Sequence, residues 1–291
     1  MSEKVSIAVI GGSGLYKMPG LTDKIPHVTP TPFGKPSGEI IVGTLNGKRV
    51  AFLPRHGAGH IYSPSQVPYL ANIYALKMLG VQFIIAVSAC GSLREDYQPG
   101  HLVIPDQIFD YTTGNRPRTF FEPGLVAHAG VADPYCNELR GKLAEAVKEV
   151  GGTVHADGTF LVEEGPRFAT RAESSIFRQW GCSIIGMTAA PEAFLAREAE
   201  IAYATLAHIT DYDVWHTSEE PVTVDMVIAQ AQRNLELIQK AVAAAVARID
   251  EAESCSCHHA LANALTTDPG AVPQNLKEKL KPIISKYYPQ V

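Results

Sequence analysis

The chain has 291 residues, of which 46% are hydrophobic and 19% are charged, and its formal net charge is −5. This composition is typical of a folded globular protein, and a single α/β domain can have this size. The acidic balance argues against nucleic-acid binding, because binding phosphates requires a basic surplus. No apolar run approaches the roughly 20 residues of a membrane helix, so we expect no contact with a membrane. The five cysteines are an odd number, which favours reduced thiols and a cytoplasmic protein.

Strand and helix signals alternate along the chain. Short apolar strands are predicted at residues 5–10, 50–53, 81–87, 159–162, 184–185 and 202–209, and helices at 65–79, 137–150, 172–179, 224–250 and 273–287. This alternation predicts an α/β fold.

The stretch from residue 184 to residue 213 contains two of these strands with a helix between them. Thr188 follows the first strand, and Asp211 and Asp213 lie at the end of the second. We expect the two strands to be parallel and to end side by side, which would bring a hydroxyl close to two carboxyl groups.

Four predicted strands are followed by side chains that can bind an oxyanion: Ser13, Arg55 with His56, Ser88, and Thr188. Taken singly, such residues are more often turn formers or solvated surface groups. Together they predict a phosphate site, because the carboxyl ends of parallel strands meet at one edge of a sheet.

The two acids have an ordinary interpretation as turn residues and a functional one as proton donors. The functional interpretation needs a partly buried carboxyl group with a raised pKa. Several other site types are disfavoured. Lys17 stands where a dinucleotide fingerprint would have its third glycine, and neither a nucleophile elbow, a Walker motif nor a His-Glu-x-x-His zinc motif occurs.

Several ordered blocks resemble the trimeric purine nucleoside phosphorylase and methylthioadenosine phosphorylase family. They are Ile10-Gly11-Gly12-Ser13-Gly14-Leu15, Thr31 to Ser37, Arg55-His56-Gly57, Ser88 to Glu95, Glu164 to Phe168, Met187-Thr188, Pro191-Glu192 and Thr210 to Asp213. The resemblance extends to about Asp250. It implies a three-layer phosphorylase/hydrolase-like fold with a central mixed, partly parallel β-sheet flanked by helices. It also implies a nucleoside phosphorylase domain at residues 1–252, with residues 253–291 as a C-terminal tail and helix packed on the same domain.

The activity that the resemblance implies is phosphate-dependent cleavage of S-methyl-5′-thioadenosine to adenine and 5-methylthioribose 1-phosphate. The expected phosphate-binding residues are Ser13, Arg55, His56, Ser88, Ala89 and Thr188, and the expected substrate contacts are Phe168, Met187, Asp211, Asp213, Val224 and His128. Asp211 and Asp213 would be the catalytic residues. His128 would come from a neighbouring subunit of a homotrimer, possibly paired into a dimer of trimers. No metal and no cofactor are expected, since phosphate is a co-substrate.

Hydrogen bonding distinguishes the possible bases. A 6-amino group donates hydrogen bonds, so the carboxylates of Asp211 and Asp213 favour adenine over a 6-oxopurine. Gly186 and Ala169 depart from the residues common in the family. They leave open a 6-oxopurine or broad-specificity phosphorylase acting on methylthioinosine, inosine or guanosine. A binding protein without activity is a third hypothesis.

The tail carries Cys255 and Cys257, followed by His258 and His259. Two reduced thiols are the simplest interpretation. The resemblance to some heat-stable family members offers a disulfide between Cys255 and Cys257 as an alternative, and a metal site with the two histidines is a third.

Overall fold

The computed structural model describes residues 5–12, 14–216 and 222–288. Within these residues, the strands form one mixed eleven-stranded sheet. In chain order they are β1 (Ile7–Gly11), β2 (Thr22–His27), β3 (Ile40–Leu45), β4 (Lys48–Pro54), β5 (Phe83–Ser92), β6 (Leu102–Val103), β7 (Gln107–Tyr111), β8 (Val154–His155), β9 (Thr159–Glu163), β10 (Ile184–Gly186) and β11 (Ala202–Asp211).

The α-helices of the described residues are α1 (Tyr69–Met78), α2 (Asn137–Glu149), α3 (Arg171–Gln179), α4 (Ala189–Glu198), α5 (Val224–Arg248) and α6 (Gln274–Ile284). The helix predicted from residue 65 begins only at Tyr69. Pro68 precedes it, and a separate 3-10 turn covers Pro64–Gln66. None of these helices combines the length and apolarity that crossing a membrane requires.

The centre of the sheet is parallel. β1 lies between β4 and β5, and β11 pairs with the other side of β5, all in parallel. The carboxyl ends of these strands therefore meet at one edge, where the sequence places the oxyanion-binding residues. The antiparallel strands β2 and β3 extend the sheet beyond β4.

One sequence expectation about this edge is wrong. β10 and β11 do not lie side by side, because β5 continues five residues beyond the predicted end and separates them. β11 pairs in parallel with β5 as far as Gly91, and β10 pairs antiparallel with Gly91 and Ser92. Ser88 therefore lies inside a strand. The strand was predicted to end at residue 87 because the run of apolar residues ends there. The last part of β5 is less apolar because it borders a cavity.

Two apolar cores cover the two faces of the sheet, which gives the expected three layers. On one face Leu143 of α2 and Val242 of α5 pack against strand residues such as Phe52. On the other face, side chains of α1, α4 and α6 form the second core. This second core includes Leu261, Leu276, Leu280 and Ile283 from the C-terminal region, so that region packs on the body of the chain. The division at residue 252 stays a prediction.

Candidate active site

A cavity of about 630 Å³ opens at the carboxyl ends of β1, β4, β5, β10 and β11. Small-molecule sites commonly have this size. Nine predicted site residues line it: Arg55, His56, Ser88, Ala89, Phe168, Met187, Thr188, Asp211 and Asp213. Another wall is α5, which contributes Val227, Ile228, Ala231 and Leu235, with Gln232 as its polar member. The cavity thus combines an apolar wall with polar groups.

Three predicted site residues are not among these. Ser13 lies outside the described residues. Val224 is 60% exposed at the start of α5 and does not line the cavity. His128 is also exposed and lies elsewhere, with its backbone N–H donating to the Ala264 carbonyl at 2.8 Å. Because His128 is assigned to a neighbouring subunit, its role stays a prediction.

Arg55 is buried in an ion pair. Its Nε and Nη2 donate to the two carboxylate oxygens of Glu192 at 2.7 and 2.8 Å, and its Nη1 donates to the Val87 carbonyl at 2.9 Å. Burial alone would lower the pKa of Arg55, but Glu192 raises it above its ordinary value. The hydroxyl of Tyr203 donates to the same carboxylate. Two guanidinium hydrogens, one on each Nη atom, therefore have no acceptor among the described residues and are available to a ligand.

His56 and His60 form a stacked pair, with ring centroids 4.2 Å apart. The Nδ1 atom of His56 lies 2.9 Å from the Tyr62 carbonyl, which can only accept, so Nδ1 carries the hydrogen. Burial and the neighbouring Arg55 lower the pKa of His56 to about 4. The ring is therefore neutral at pH 7, and its Nε2 atom can accept a hydrogen bond.

The two aspartates have different surroundings. Both oxygens of Asp211 accept hydrogen bonds, one from the Thr210 hydroxyl at 2.6 Å and one from the Asp213 backbone N–H at 2.8 Å. By contrast, the Oδ2 atom of Asp213 is buried and has no hydrogen-bond partner among the described residues. Burial raises the pKa of Asp211, and it raises the pKa of Asp213 to about 6. An unpartnered buried carboxyl oxygen is costly unless a ligand meets it.

Glu163 and His208 also line the cavity, and neither was predicted from the sequence. Glu163 ends β9, and burial, reinforced by Asp213, raises its pKa to about 8. His208 lies in the apolar run of β11, and burial lowers its pKa to about 4. In the sequence, the acid at a strand end and the single histidine in a buried strand were the available signals.

The departure at Gly186 has a steric reason. A Cβ atom at this position would lie 2.9 Å from two ring atoms of Phe160, closer than real contacts allow. Phe160 is fully buried in the adjacent strand β9. A larger residue at 186 would have to displace this ring. At the other departure, Ala169 is buried and packs with Leu161 and Phe177.

Comparisons with known proteins agree with this geometry. A family model described as the phosphorylase superfamily matches residues 6–247. An S-methyl-5′-thioadenosine phosphorylase from Chloroflexus aurantiacus is 56% identical over 97% of this chain and 98% of its own length. The chain belongs to the methylthioadenosine phosphorylase family.

Other relatives cover the chain equally well. An S-methyl-5′-thioadenosine phosphorylase from Geobacter sulfurreducens is 52% identical, over 97% of this chain and 98% of its own length. Among solved structures, a methylthioadenosine phosphorylase from an Antarctic soil metagenomic library superimposes with a TM-score of 0.92 at 48% identity, covering 96% of this chain and 99% of that one. The Schistosoma mansoni methylthioadenosine phosphorylase in complex with adenine gives 0.79 at 36% identity, covering 97% and 98%. Family membership therefore extends over the whole fold.

Proposed function

We propose that the protein cleaves S-methyl-5′-thioadenosine with inorganic phosphate, giving adenine and 5-methylthioribose 1-phosphate. The enzyme is a pentosyltransferase of the purine nucleoside phosphorylase type. The observation that carries the proposal is one cavity that joins an oxyanion-binding edge to two buried carboxyl groups with raised pKa values. Adenine salvage and recovery of the methylthio sugar follow from the products.

The oxyanion-binding edge suits the attacking phosphate. Cleavage of the glycosidic bond develops positive charge on the sugar, which a phosphate beside C1′ offsets. We assign the phosphate to Arg55, His56, Ser88 and the backbone at Ala89, with Thr188. Glu192 already neutralises the charge of Arg55. The neutral ring of His56 accepts a hydrogen bond from the hydroxyl group of monohydrogen phosphate.

The acidic end suits the leaving base. Negative charge accumulates on the purine as the bond breaks, and a protonated carboxyl group can donate to it. Among the described residues, the Oδ2 atom of Asp213 is free for this contact, and the backbone N–H of Asp213 donates to Asp211 Oδ1, which positions that carboxyl group. Phe168 and Met187 are assigned to the purine and ribose. The apolar wall of α5 suits a methylthio group better than a hydroxyl.

A broader base specificity has one observation in its favour. A Glu163 that stays protonated below about pH 8 could donate to a 6-oxo group. A substrate panel decides the matter. Methylthioadenosine, adenosine, methylthioinosine and inosine are supplied with and without phosphate, and release of free base is measured. We expect phosphate-dependent release of adenine from methylthioadenosine to be fastest. Preference for inosine would favour the broader enzyme, and no release would contradict the proposal.

The assembly and location are further parts of the proposal. The family resemblance supports a homotrimer, possibly paired into a hexamer, in which His128 of one chain borders the 5′ end of the next site with Val224. All five cysteines are free, which supports a reducing, cytoplasmic location. No metal or organic cofactor is assigned to the reaction, because phosphate supplies the nucleophile.

A further inference from the structure

Three cysteine sulfurs meet near the start of β11, where the Cys136 N–H donates to the Tyr203 carbonyl, and none of the three residues lines the active-site cavity. Cys136 is the N-cap residue of α2. Cys255 and Cys257 lie near the start of the C-terminal region, one on each side of Ser256. All three side chains are buried, at 1%, 8% and 3% exposure. Their Sγ atoms lie within 4.8 Å of one another, and those of Cys136 and Cys255 are 3.7 Å apart.

These separations match thiolates around a small d¹⁰ cation. With zinc–sulfur bonds of about 2.3 Å in tetrahedral geometry, the sulfurs lie about 3.8 Å apart. One observed separation already has this value, and the others require a closure of at most about 1 Å. Soft thiolate ligands also select zinc over magnesium or calcium.

The surroundings can hold the negative charge that such a site needs. The Arg197 guanidinium donates to the Cys257 sulfur at 3.4 Å, and it also donates to the Asp133 carbonyl. Cys136 lies at the positive end of the α2 dipole.

An entry path and a fourth ligand are present. A second cavity of about 300 Å³ reaches Cys257, and Glu138, Asn137, Asp133 and Arg197 line it. The Glu138 Oε2 atom is 3.3 Å from the Cys136 sulfur, within reach of a bound cation. A cation entering through this cavity can thus complete four coordination with the Glu138 carboxylate.

We propose that Cys136, Cys255 and Cys257 bind one Zn²⁺ ion, with Glu138 at the fourth position. Such a site joins the start of α2 to the C-terminal region across 119 positions of the chain. The role is structural and separate from the proposed reaction, because none of these residues lines the active-site cavity. A disulfide between two of the cysteines would leave the third thiol and Glu138 without this function.

Cobalt binding tests the site directly, because Co²⁺ bound by thiolates absorbs strongly through charge transfer. The full-length protein is reduced, treated with a chelator, freed of it and titrated with Co²⁺, and then with Zn²⁺. We expect one Co²⁺ per chain with intense thiolate charge-transfer absorption, which Zn²⁺ abolishes by displacement. The proposal would be overturned if the wild-type protein showed no such absorption. It would also be overturned if the isolated protein contained a disulfide and bound no Co²⁺ after reduction.

Variants locate the ligands. Cys136→Ser and Cys257→Ser should each lower the charge-transfer absorption and weaken Co²⁺ binding at least tenfold, whereas Glu138→Gln should keep the charge-transfer bands and shift the ligand-field spectrum. The matched control is Cys182→Ser, a buried cysteine outside the cluster, which should bind as the wild type does. Unchanged absorption in Cys136→Ser and Cys257→Ser, both folded by circular dichroism, would place the metal elsewhere and contradict the assignment.

Discussion

At the scale of single residues, the site depends on how burial treats each titratable group. Buried away from water, the charged form of a side chain is disfavoured unless a partner offsets the loss. Arg55 keeps its charge because Glu192 accepts two of its hydrogen bonds. Burial, with Arg55 nearby, lowers the pKa of His56 and keeps its ring neutral. Burial also raises the pKa of Asp213, whose Oδ2 atom has no hydrogen-bond partner among the described residues. One edge of the sheet thus holds a neutral base and a protonatable acid.

The aspartates provide the first prediction. Asp213→Asn removes the proton donor and should lower kcat/KM for methylthioadenosine by about 100-fold, with Asp211→Asn costing less. At saturating phosphate, the wild-type kcat/KM should fall as pH rises through about 6, where Asp213 loses its proton, and Asp213→Asn should lack this limb.

Asp23→Asn is the matched control for this variant. Both aspartates have a positive φ, 53° at Asp213 and 49° at Asp23, and asparagine tolerates this conformation. Asp23 is exposed and does not line the cavity, so its variant should keep wild-type kinetics. Equal activity of Asp213→Asn and the control would remove Asp213 from the reaction.

Glu163 provides a prediction about stability and pH. Its folded-state pKa of about 8 lies above its unfolded-state pKa. At pH values between these two pKa values, the folded state therefore binds one more proton than the unfolded state. That stability is present at low pH and is lost as pH rises through about 8. The free energy of unfolding is measured with urea at pH 5, 7 and 9. Between pH 5 and pH 9 it should fall by roughly 1–3 kcal/mol less in Glu163→Gln than in the wild type. A slope identical to that of the wild type would refute this.

At the scale of elements, the ion pair of Arg55 and Glu192 ties the end of β4 to α4. Glu192→Gln leaves the guanidinium buried without its counter-charge and should cost about 3–5 kcal/mol of the free energy of unfolding. Glu236→Gln is the control, since Glu236 pairs with Lys240 on the exposed surface of α5, where water screens the attraction and such pairs contribute little. Similar losses in denaturant unfolding of both variants would show that burial is not the deciding factor.

Two glycines test backbone conformation in an element and in a turn. Gly141 lies in the exposed interior of α2 with open space around it, so Gly141→Ala should raise the free energy of unfolding by about 0.5–1 kcal/mol. Gly181 also has open space but a φ of +82°, so Gly181→Ala should lower it by about 1–2 kcal/mol. The midpoint temperature of thermal unfolding should rise in Gly141→Ala and fall in Gly181→Ala. Shifts of the same sign would contradict this explanation.

At the scale of the whole molecule, the proposed trimer makes a prediction about shared sites. Light scattering should give three times the 31.4 kDa mass of the chain, or six times if trimers pair. If His128 completes the neighbouring site, His128→Ala should raise KM for methylthioadenosine. Co-expressed Asp213→Asn and His128→Ala chains should then regain activity, with about a quarter of all sites intact after random assembly. A monomeric mass, or no recovery in mixed assemblies, would contradict shared sites.

Local sequence determined much of this protein. The apolar runs of β1, β4, β9 and β11, and the helical periodicity of α2 and α5, gave the α/β class, since both signals act over a few neighbouring residues. Strand-end positions predicted six lining residues of the cavity, Arg55, His56, Ser88, Thr188, Asp211 and Asp213, because the carboxyl ends of parallel strands converge. The family resemblance added Ala89, Phe168 and Met187.

Only the tertiary structure decided what required distant partners. The sequence could not show that Glu192 would neutralise Arg55, nor that β5 would pass between β10 and β11. It also could not show that Cys136 would meet Cys255 across 119 positions, or that Glu163 would face Asp213. Sequence periodicity reports which side of an element is buried. What each buried group meets is set by long-range packing, and that packing fixes its charge and its chemistry.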